Sequence, residues 1–270
     1  MNAPSNSGLP LDIERAASGA GPANAAPVDF IWRPHDHPWT RDSHLAGFLR
    51  AQGFANFEDL RAAAVRDTTW FWDAVVRDLR LEWFQPYTQV RDDSAGFPWT
   101  RWFLGGALNL THNCIDRHVR DGHGDEVALY YEPDSDDPAD RRVRTFAELK
   151  AAVDDCAGAL RALGVGLGDS VGLYAPMRPE TVEVMFACYK IGARFVPVFC
   201  GYGEQALVDR LESCGAKVLF AVGHLHRRGK AHPAWVAAMA AQHRVATLQR
   251  VIFFDEFDHA SGLSAPPAEM

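Results

Sequence analysis

Several things are missing from this 270-residue chain, and each omission narrows what it can be. No apolar run approaches the roughly 18 residues that a membrane-spanning helix needs, so no membrane partner is expected. Basic charge is in deficit. The 27 Lys and Arg against 35 Asp and Glu leave a formal charge of −8, which argues against a nucleic-acid or anionic-membrane partner. The five cysteines (Cys114, Cys156, Cys188, Cys200 and Cys214) form no Cys-x-x-Cys and are odd in number. That pattern predicts reduced thiols in a cytoplasmic protein, serving mostly as small buried apolar residues. His35-x-His37 and His224-x-His226 lack Cys or carboxylate ligands at a suitable offset, so no structural metal is expected. The Gly-x-Gly-x-x-Gly fingerprint follows no strand, which disfavours a nicotinamide oxidoreductase, and Gly-x-Ser-x-Gly does not occur. Gly223 to Gly229-Lys230 fails as a Walker loop, because five residues separate the glycines and Ala231 stands in the Ser/Thr position.

What is present divides into four stretches. Residues 1–27 are Ala, Gly, Ser, Pro and Asn without the basic and apolar regions of a signal peptide, and they read as a disordered leader. Residues 28–100 carry short helical patterns rich in aromatics. Leu45, Phe48 and Leu49 share one face, Phe57, Leu60 and Ala64 a second. Trp70, Phe71, Ala74, Val75 and Leu79 form a third, opened by Thr68 or Thr69 as N-cap. The tryptophans concentrated in this stretch are expected to serve packing.

From 101 to 255 the pattern changes to strands alternating with amphipathic helices. Val127–Tyr131 and Val143–Phe146 are expected to pair as a hairpin across an acidic, proline-containing turn. Thr145-x-x-Glu148 is a capping box, followed by Leu149, Val153, Cys156, Leu160 and Leu163 and stopped by Gly164. Val171–Tyr174 is a strand. Pro179 opens a helix whose Val182, Met185, Phe186 and Tyr189 run up to Gly192. Phe195–Phe199 is a strand, Glu204–Cys214 a helix ended by Gly215, and Lys217–Val222 and Arg250–Phe254 are further strands. Continuous apolar strands between such helices predict an α/β fold. Its sheet is doubly wound and mostly parallel, with helices on both faces, preceded by a small helical N-terminal region. Residues 256–270 read as a frayed tail.

Several clusters, in order and in spacing, resemble one family. Trp102-Phe103-Leu104-Gly105-Gly106-Ala107-Leu108-Asn109 with Asn113-Cys114-Ile115-Asp116-Arg117-His118 comes first. Gly168-Asp169-Ser170-Val171, Pro176-Met177-x-Pro179-Glu180 and Ala187-Cys188-Tyr189-Lys190-Ile191-Gly192-Ala193 follow. Phe199-Cys200-Gly201-Tyr202 and Arg227-Arg228-Gly229-Lys230 close the series. Over roughly residues 30–255 these resemble the N-terminal portion of AMP-forming acetyl-CoA synthetases and their short-chain acyl relatives. Most of the clusters are structural in physical terms: turns, strand-to-helix crossings, and for His118 a packed or capping imidazole rather than a base.

The resemblance implies that Phe199, Gly201, Arg227 and Lys230 face CoA. Phe199-Cys200-Gly201-Tyr202 directly follows a strand, where open parallel sheets bind ligands. The family has a Gly-Gly pair there, and Cys200 replaces its first glycine. Arg227 and Lys230, flanking a glycine turn, suit a nucleotide phosphate. The family's Ser/Thr/Gly-rich phosphate loop and lid lysine have no counterpart in these residues. The fold is therefore expected to be incomplete relative to the family's, with ATP and Mg serving only a complete member. No catalytic residue is assigned. The implied chemistry joins a carboxylate to ATP and then to CoA. This chain alone is expected to be inactive, to bind CoA weakly, and to partner a missing or separately encoded C-terminal half. The rival reading is a non-catalytic interaction module, or one half of a split synthetase.

Overall fold

The computed structural model describes residues 38–133, 140–227 and 230–254, so the leader and the tail lie outside it. The described chain forms two compact units. Residues 38–81 with 87–104 make the first, and 82–86 with the described residues from 105 onward make the second. None of the described helices is long and apolar enough to cross a membrane.

The first unit is built from α1 (Pro38–Arg41), α2 (His44–Ala51), α3 (Phe57–Arg66) and α4 (Thr68–Asp78). Side-chain oxygens close the exposed N–H groups at three helix starts. Ser43 accepts from Ala46 N, Asn56 from Asp59 N, and Asp67 from Trp70 N. Asp67, not Thr68 or Thr69, is thus the α4 cap: its carboxylate reaches the third N–H while both threonines are already helical. Phe48, Leu60 and Ala74 form the core, joined by Trp70 and Phe71, with Phe48 and Phe71 edge to face at 6.3 Å. The outer members of the expected faces, Leu45, Phe57 and Leu79, stay about half exposed and line an apolar groove of about 330 Å³.

An antiparallel ribbon completes this unit and departs from the helical pattern: β1 (Gln89–Asp92) pairs with β2 (Arg101–Leu104). It is held by aromatic and ionic contacts. Arg91 lies over the Trp102 ring at 5.6 Å, Trp102 meets Trp72 edge to face at 6.3 Å, and Arg101 pairs with Asp92.

The second unit opens with a π-helical turn (His112–Asp116) running into α5 (Arg117–Arg120). β3 (Val127–Tyr131) and β4 (Arg142–Thr145) form the expected hairpin. Next come α6 (Phe146–Ala162), β5 (Ser170–Tyr174), α7 (Pro179–Ile191), β6 (Arg194–Pro197) and α8 (Glu204–Cys214). Then come β7 (Ala216–Ala221), β8 (His224–Arg227), β9 (Lys230–Pro233), α9 (Ala234–Arg244) and β10 (Arg250–Phe253). The Thr145 capping box forms in full. Pro179 takes the first position of α7, and Gly192 ends that helix with φ 76°.

The parallel sheet has the order β10-β7-β5-β6. From β5 the chain goes to β6 on one side, returns to β7 on the other, and continues outward to β10. That reversal is the doubly wound pattern. Each central strand faces two layers. Val171, Leu173, Val218 and Phe220 pack with α6 and α7, while Tyr174, Leu219 and Ala221 pack with α8 and α9. All five residues of β5 are buried.

The family-like clusters meet each other here. Asn109 donates to the carbonyls of Tyr189 (3.2 Å) and Lys190 (3.0 Å) in the last turn of α7, and Thr111 Oγ1 donates to Phe186 O at 2.6 Å one turn earlier. Lys190 pairs with Asp116 at 2.8 Å. Asp169 accepts from Gly166 N (2.9 Å) and from Lys217 (2.8 Å), tying the turn before β5 to β7. His118 stacks on Phe146 with centroids 4.8 Å apart, a packing role.

Two constraints yield measurable outcomes. A Cβ on Gly172 would lie 2.5 Å from Leu211 Cδ2 and 3.0 Å from Leu219 Cδ1, inside the α8 face of the sheet. Gly172→Ala is expected to cost about 1–3 kcal/mol in a denaturant melt, with a milder loss if Leu211 is also shortened; an unchanged midpoint would contradict the packing. Glu180 at the start of α7 is the second. Burial disfavours its charge, but hydrogen bonds from Arg178 and Arg142 outweigh that and hold it at about 2, against an ordinary 4.5. Because the folded value is depressed, this contribution is full above pH 4.5 and fades as pH falls from 4.5 towards 2. Thermal melts should therefore show a steeper acid loss for the natural chain than for Glu180→Gln across that window.

Candidate functional site

The carboxyl ends of the parallel strands bring together the residues with the strongest chemical character in the second unit. β5 ends at Tyr174 and leads through Pro176 and Met177 to Arg178. β6 leads to Phe199–Tyr202. β7 leads into the β8–β9 hairpin, and β10 leads to Phe254. Neighbouring strands lie about 4.8 Å apart, so the ends of β6 and β7, separated by β5, are roughly 10 Å apart.

The loop after β6 is shorter in strand than expected. Pairing stops at Pro197, one residue beyond which Val198 N still bonds to Leu173 O at 2.7 Å. Phe199 is therefore in the loop, 61% exposed, rather than at the strand end. Its ring lies on Gly201: a Cβ there would meet Phe199 Cε1 at 2.4 Å. Phe199 also meets Tyr202 edge to face at 5.5 Å, and Tyr202 N bonds to Phe199 O at 3.0 Å. The glycine thus permits close approach, and the chain's own aromatic ring makes that approach.

Two residues outside the sequence-derived set hold this loop. The Tyr174 hydroxyl donates to Tyr202 O at 2.6 Å. Burial first, and the neighbouring Cys200 second, raise the Tyr174 phenol above its ordinary 10, so it keeps its proton at neutral pH. Arg210 of α8 lies over the Tyr202 ring at 4.4 Å. Tyr174 is legible in sequence only as the last apolar residue of a strand, and Arg210 only as a polar residue on a helix. Their partnership with Tyr202 spans tertiary distance.

Arg227 and Lys230 are not in an irregular loop. They are cross-strand partners at the end of the β8–β9 hairpin, in register with His226↔Ala231 and His224↔Pro233. Lys230 is exposed, and Arg227 is placed by its backbone. Phe199 and Gly201 are brought into contact, as are the positions of Arg227 and Lys230. The two pairs leave the same end of the sheet from strands on either side of β5.

At the end of β5, Arg178 bonds to Glu180 at 2.7 Å and lies over Phe254 at 5.5 Å. Phe254 in turn stacks on Phe220 at 5.5 Å. Among the described residues no group of three His, Cys, Asp or Glu side chains is placed to hold a metal. The cysteines are free thiols, but only Cys188 is fully buried and Cys114 is exposed, so the expected burial holds in part.

Known proteins give a consistent likeness. The family description "AMP-binding enzyme" matches residues 115–268, and "Acetyl-coenzyme A synthetase N-terminus" matches 57–114. An acetyl-coenzyme A synthetase of Methanothrix soehngenii is 32% identical over 209 residues, covering 77% of this chain and 31% of that protein. One from Mycobacterium tuberculosis is 41% identical over 189 residues, covering 68% and 28%. Among solved structures, acetoacetyl-CoA synthetase from Streptomyces lividans superposes with a TM-score of 0.72 at 26% identity, covering 84% of this chain and 35% of its own. The chain thus spans about a third of the length of the relatives it matches. With more than half its length inside the AMP-binding match, and with the fold of a solved acyl-CoA synthetase, the chain belongs to the AMP-binding enzyme family, matching the N-terminal portion of the acetyl-CoA synthetases.

Proposed function

We propose that this chain supplies the CoA-facing part of an AMP-forming acyl-CoA synthetase. In that chemistry a carboxylate oxygen attacks the α-phosphorus of ATP, forming acyl-adenylate and releasing pyrophosphate. The CoA thiol then attacks the acyl carbon and expels AMP. The observation that carries the reading is the cross-strand pairing of Arg227 with Lys230 on a hairpin leaving the ligand-binding end of the sheet. A phosphate suits the two cationic residue types that these paired backbone positions carry, and the exposed Phe199 ring offers a face to a base. Phe199, Gly201, Arg227 and Lys230 are accordingly the proposed CoA contacts.

The adenylating step needs groups that these 270 residues do not contain: a Gly-rich Ser/Thr/Lys loop and a lid lysine. We therefore assign no catalytic residue and no step to Mg. The partner proposed is a polypeptide segment carrying those groups, in the same chain or separately encoded. Free thiols at all five cysteines suit a reducing compartment, the cytoplasm.

One phosphate held by two cations at a wet site gains about 1–3 kcal/mol. Binding is then millimolar at best and weakens with salt. Ligand-observed NMR on the chain should show CoA binding more strongly than 3′-dephospho-CoA, and Arg227→Ala with Lys230→Ala should abolish the difference with the fold intact. Equal signals for the two ligands would remove these residues from the site. Incubated with ATP and acetate or propionate, the chain should release no pyrophosphate above a blank; carboxylate-dependent release would overturn its assignment as the CoA-facing part alone.

A further inference from the structure

The loop proposed to meet CoA is tied at Tyr202 from two sides. Between Val198 and the start of α8 at Glu204, the backbone makes one internal turn bond, Tyr202 N to Phe199 O. Gly203 begins α8 with no side-chain cap. Across this stretch runs a tie from elsewhere: the Tyr174 hydroxyl, at the buried end of the central strand, donates to Tyr202 O across 28 residues of sequence at 2.6 Å. A buried phenol must find an acceptor, and here the acceptor is the loop rather than a core group. From the other side, Arg210 sits over the same residue's ring at 4.4 Å and donates to Ala206 O at 2.8 Å, anchoring that cation to α8. Tyr202 is therefore held through its carbonyl by the sheet and through its ring by the helix, leaving Phe199 and Gly201 as the free portion.

The Phe199 ring occupies the space over Gly201 that a closely approaching ligand requires. A ligand can enter only if that ring turns aside while the backbone keeps its place. A loop pinned at Tyr202 allows this, since ring rotation about the Phe199 side chain does not require Tyr202 to move. A loop not so pinned would lose the Gly201 surface along with the ring.

We propose that Tyr174 is a positioning residue: its hydroxyl, seconded by Arg210, latches Tyr202 so that Phe199 can swing off Gly201 and expose a fixed surface to the CoA nucleotide. This rests on the CoA reading above, but the latch is measurable without any ligand. Tyr174→Phe keeps the ring that fills the core and removes only the donor. Hydrogen exchange followed by mass spectrometry should quicken about tenfold in a peptide covering 198–203, the shift in opening that loss of one hydrogen bond brings, while peptides from β5 and α9 stay as they were. CoA affinity by ligand-observed NMR should fall about threefold or more, with melting temperature nearly unchanged, which a purely structural role would not produce.

Unchanged exchange in 198–203 overturns the latch. Quickened exchange with undiminished CoA binding overturns the positioning role. If the natural chain binds no CoA, the CoA reading falls, and the exchange comparison alone decides whether the latch exists. Should Tyr174→Phe not fold, Arg210→Gln, at an exposed helix position, gives the same comparison, with faster exchange confined to 198–203 expected and no change overturning the proposal.

Discussion

The architecture of the second unit depends on burying β5 from both sides at once. Its five residues are all buried, and its neighbours β6 and β7 pair with it in parallel on either flank. A strand in that position can expose no polar edge and tolerate no excess volume. Gly172 is the consequence: where the α8 face presses closest, through Leu211 and Leu219, no side chain is carried at all. Val171 and Leu173 fill the opposite face against α6 and α7. Tyr174, last in the strand, is apolar in body and polar at its tip. It packs into the core at its ring while its hydroxyl reaches the loop beyond β6. The same strand thus joins the packing of both layers to the geometry of the loop beyond β6.

Polar residues from the opening segment secure the helices around this strand. Asn109 and Thr111 spend their hydrogen bonds on carbonyls at the end of α7, and Asp116 meets Lys190 there. Asn109, Asp116 and Lys190 belong to the family-like clusters read in the sequence, and their geometry is that of a clamp on the helix end.

Much of the second unit could be read from the sequence, because its signals are local. The Thr145–Glu148 capping box, Pro179 at the head of α7, and the glycines after α7 and α8 each act within one turn of helix. What escaped has a physical reason in each case. Helix α9 buries Ala234, Ala238 and Ala241, a stripe of small residues that gives no large-apolar periodicity, yet lets α9 pack closely on α8. The β8–β9 strands, His-Leu-His-Arg and Lys-Ala-His-Pro, hold no β-branched or aromatic residue and so give little strand signal. The β1–β2 ribbon is held by Arg–Trp and Trp–Trp contacts with partners distant in sequence. In the proposed site, Phe199, Gly201, Arg227 and Lys230 were visible as residue types after strands. The contact of Phe199 with Gly201, and the facing positions of Arg227 and Lys230, required the fold.

The division between rigid and adaptable parts follows from where each side chain gets its support. Tyr174 and Arg210 are supported by a buried strand and by an eleven-residue helix, and both act on Tyr202. Phe199 is supported only by Gly201 and by the edge of Tyr202, contacts that a ring can exchange for a ligand's at small cost. Lys230 is exposed and gains little from its own surroundings, so its charge stays available to solvent and to anions alike. The proposed CoA contact would therefore rest on a held backbone, one replaceable aromatic ring and an exposed lysine, which suits a ligand that must arrive, deliver its reactive end elsewhere and leave. Tight, enclosed binding would oppose that turnover by stabilising the bound ground state. In the proposed function this edge is a nucleotide handle, and bond-making chemistry lies elsewhere.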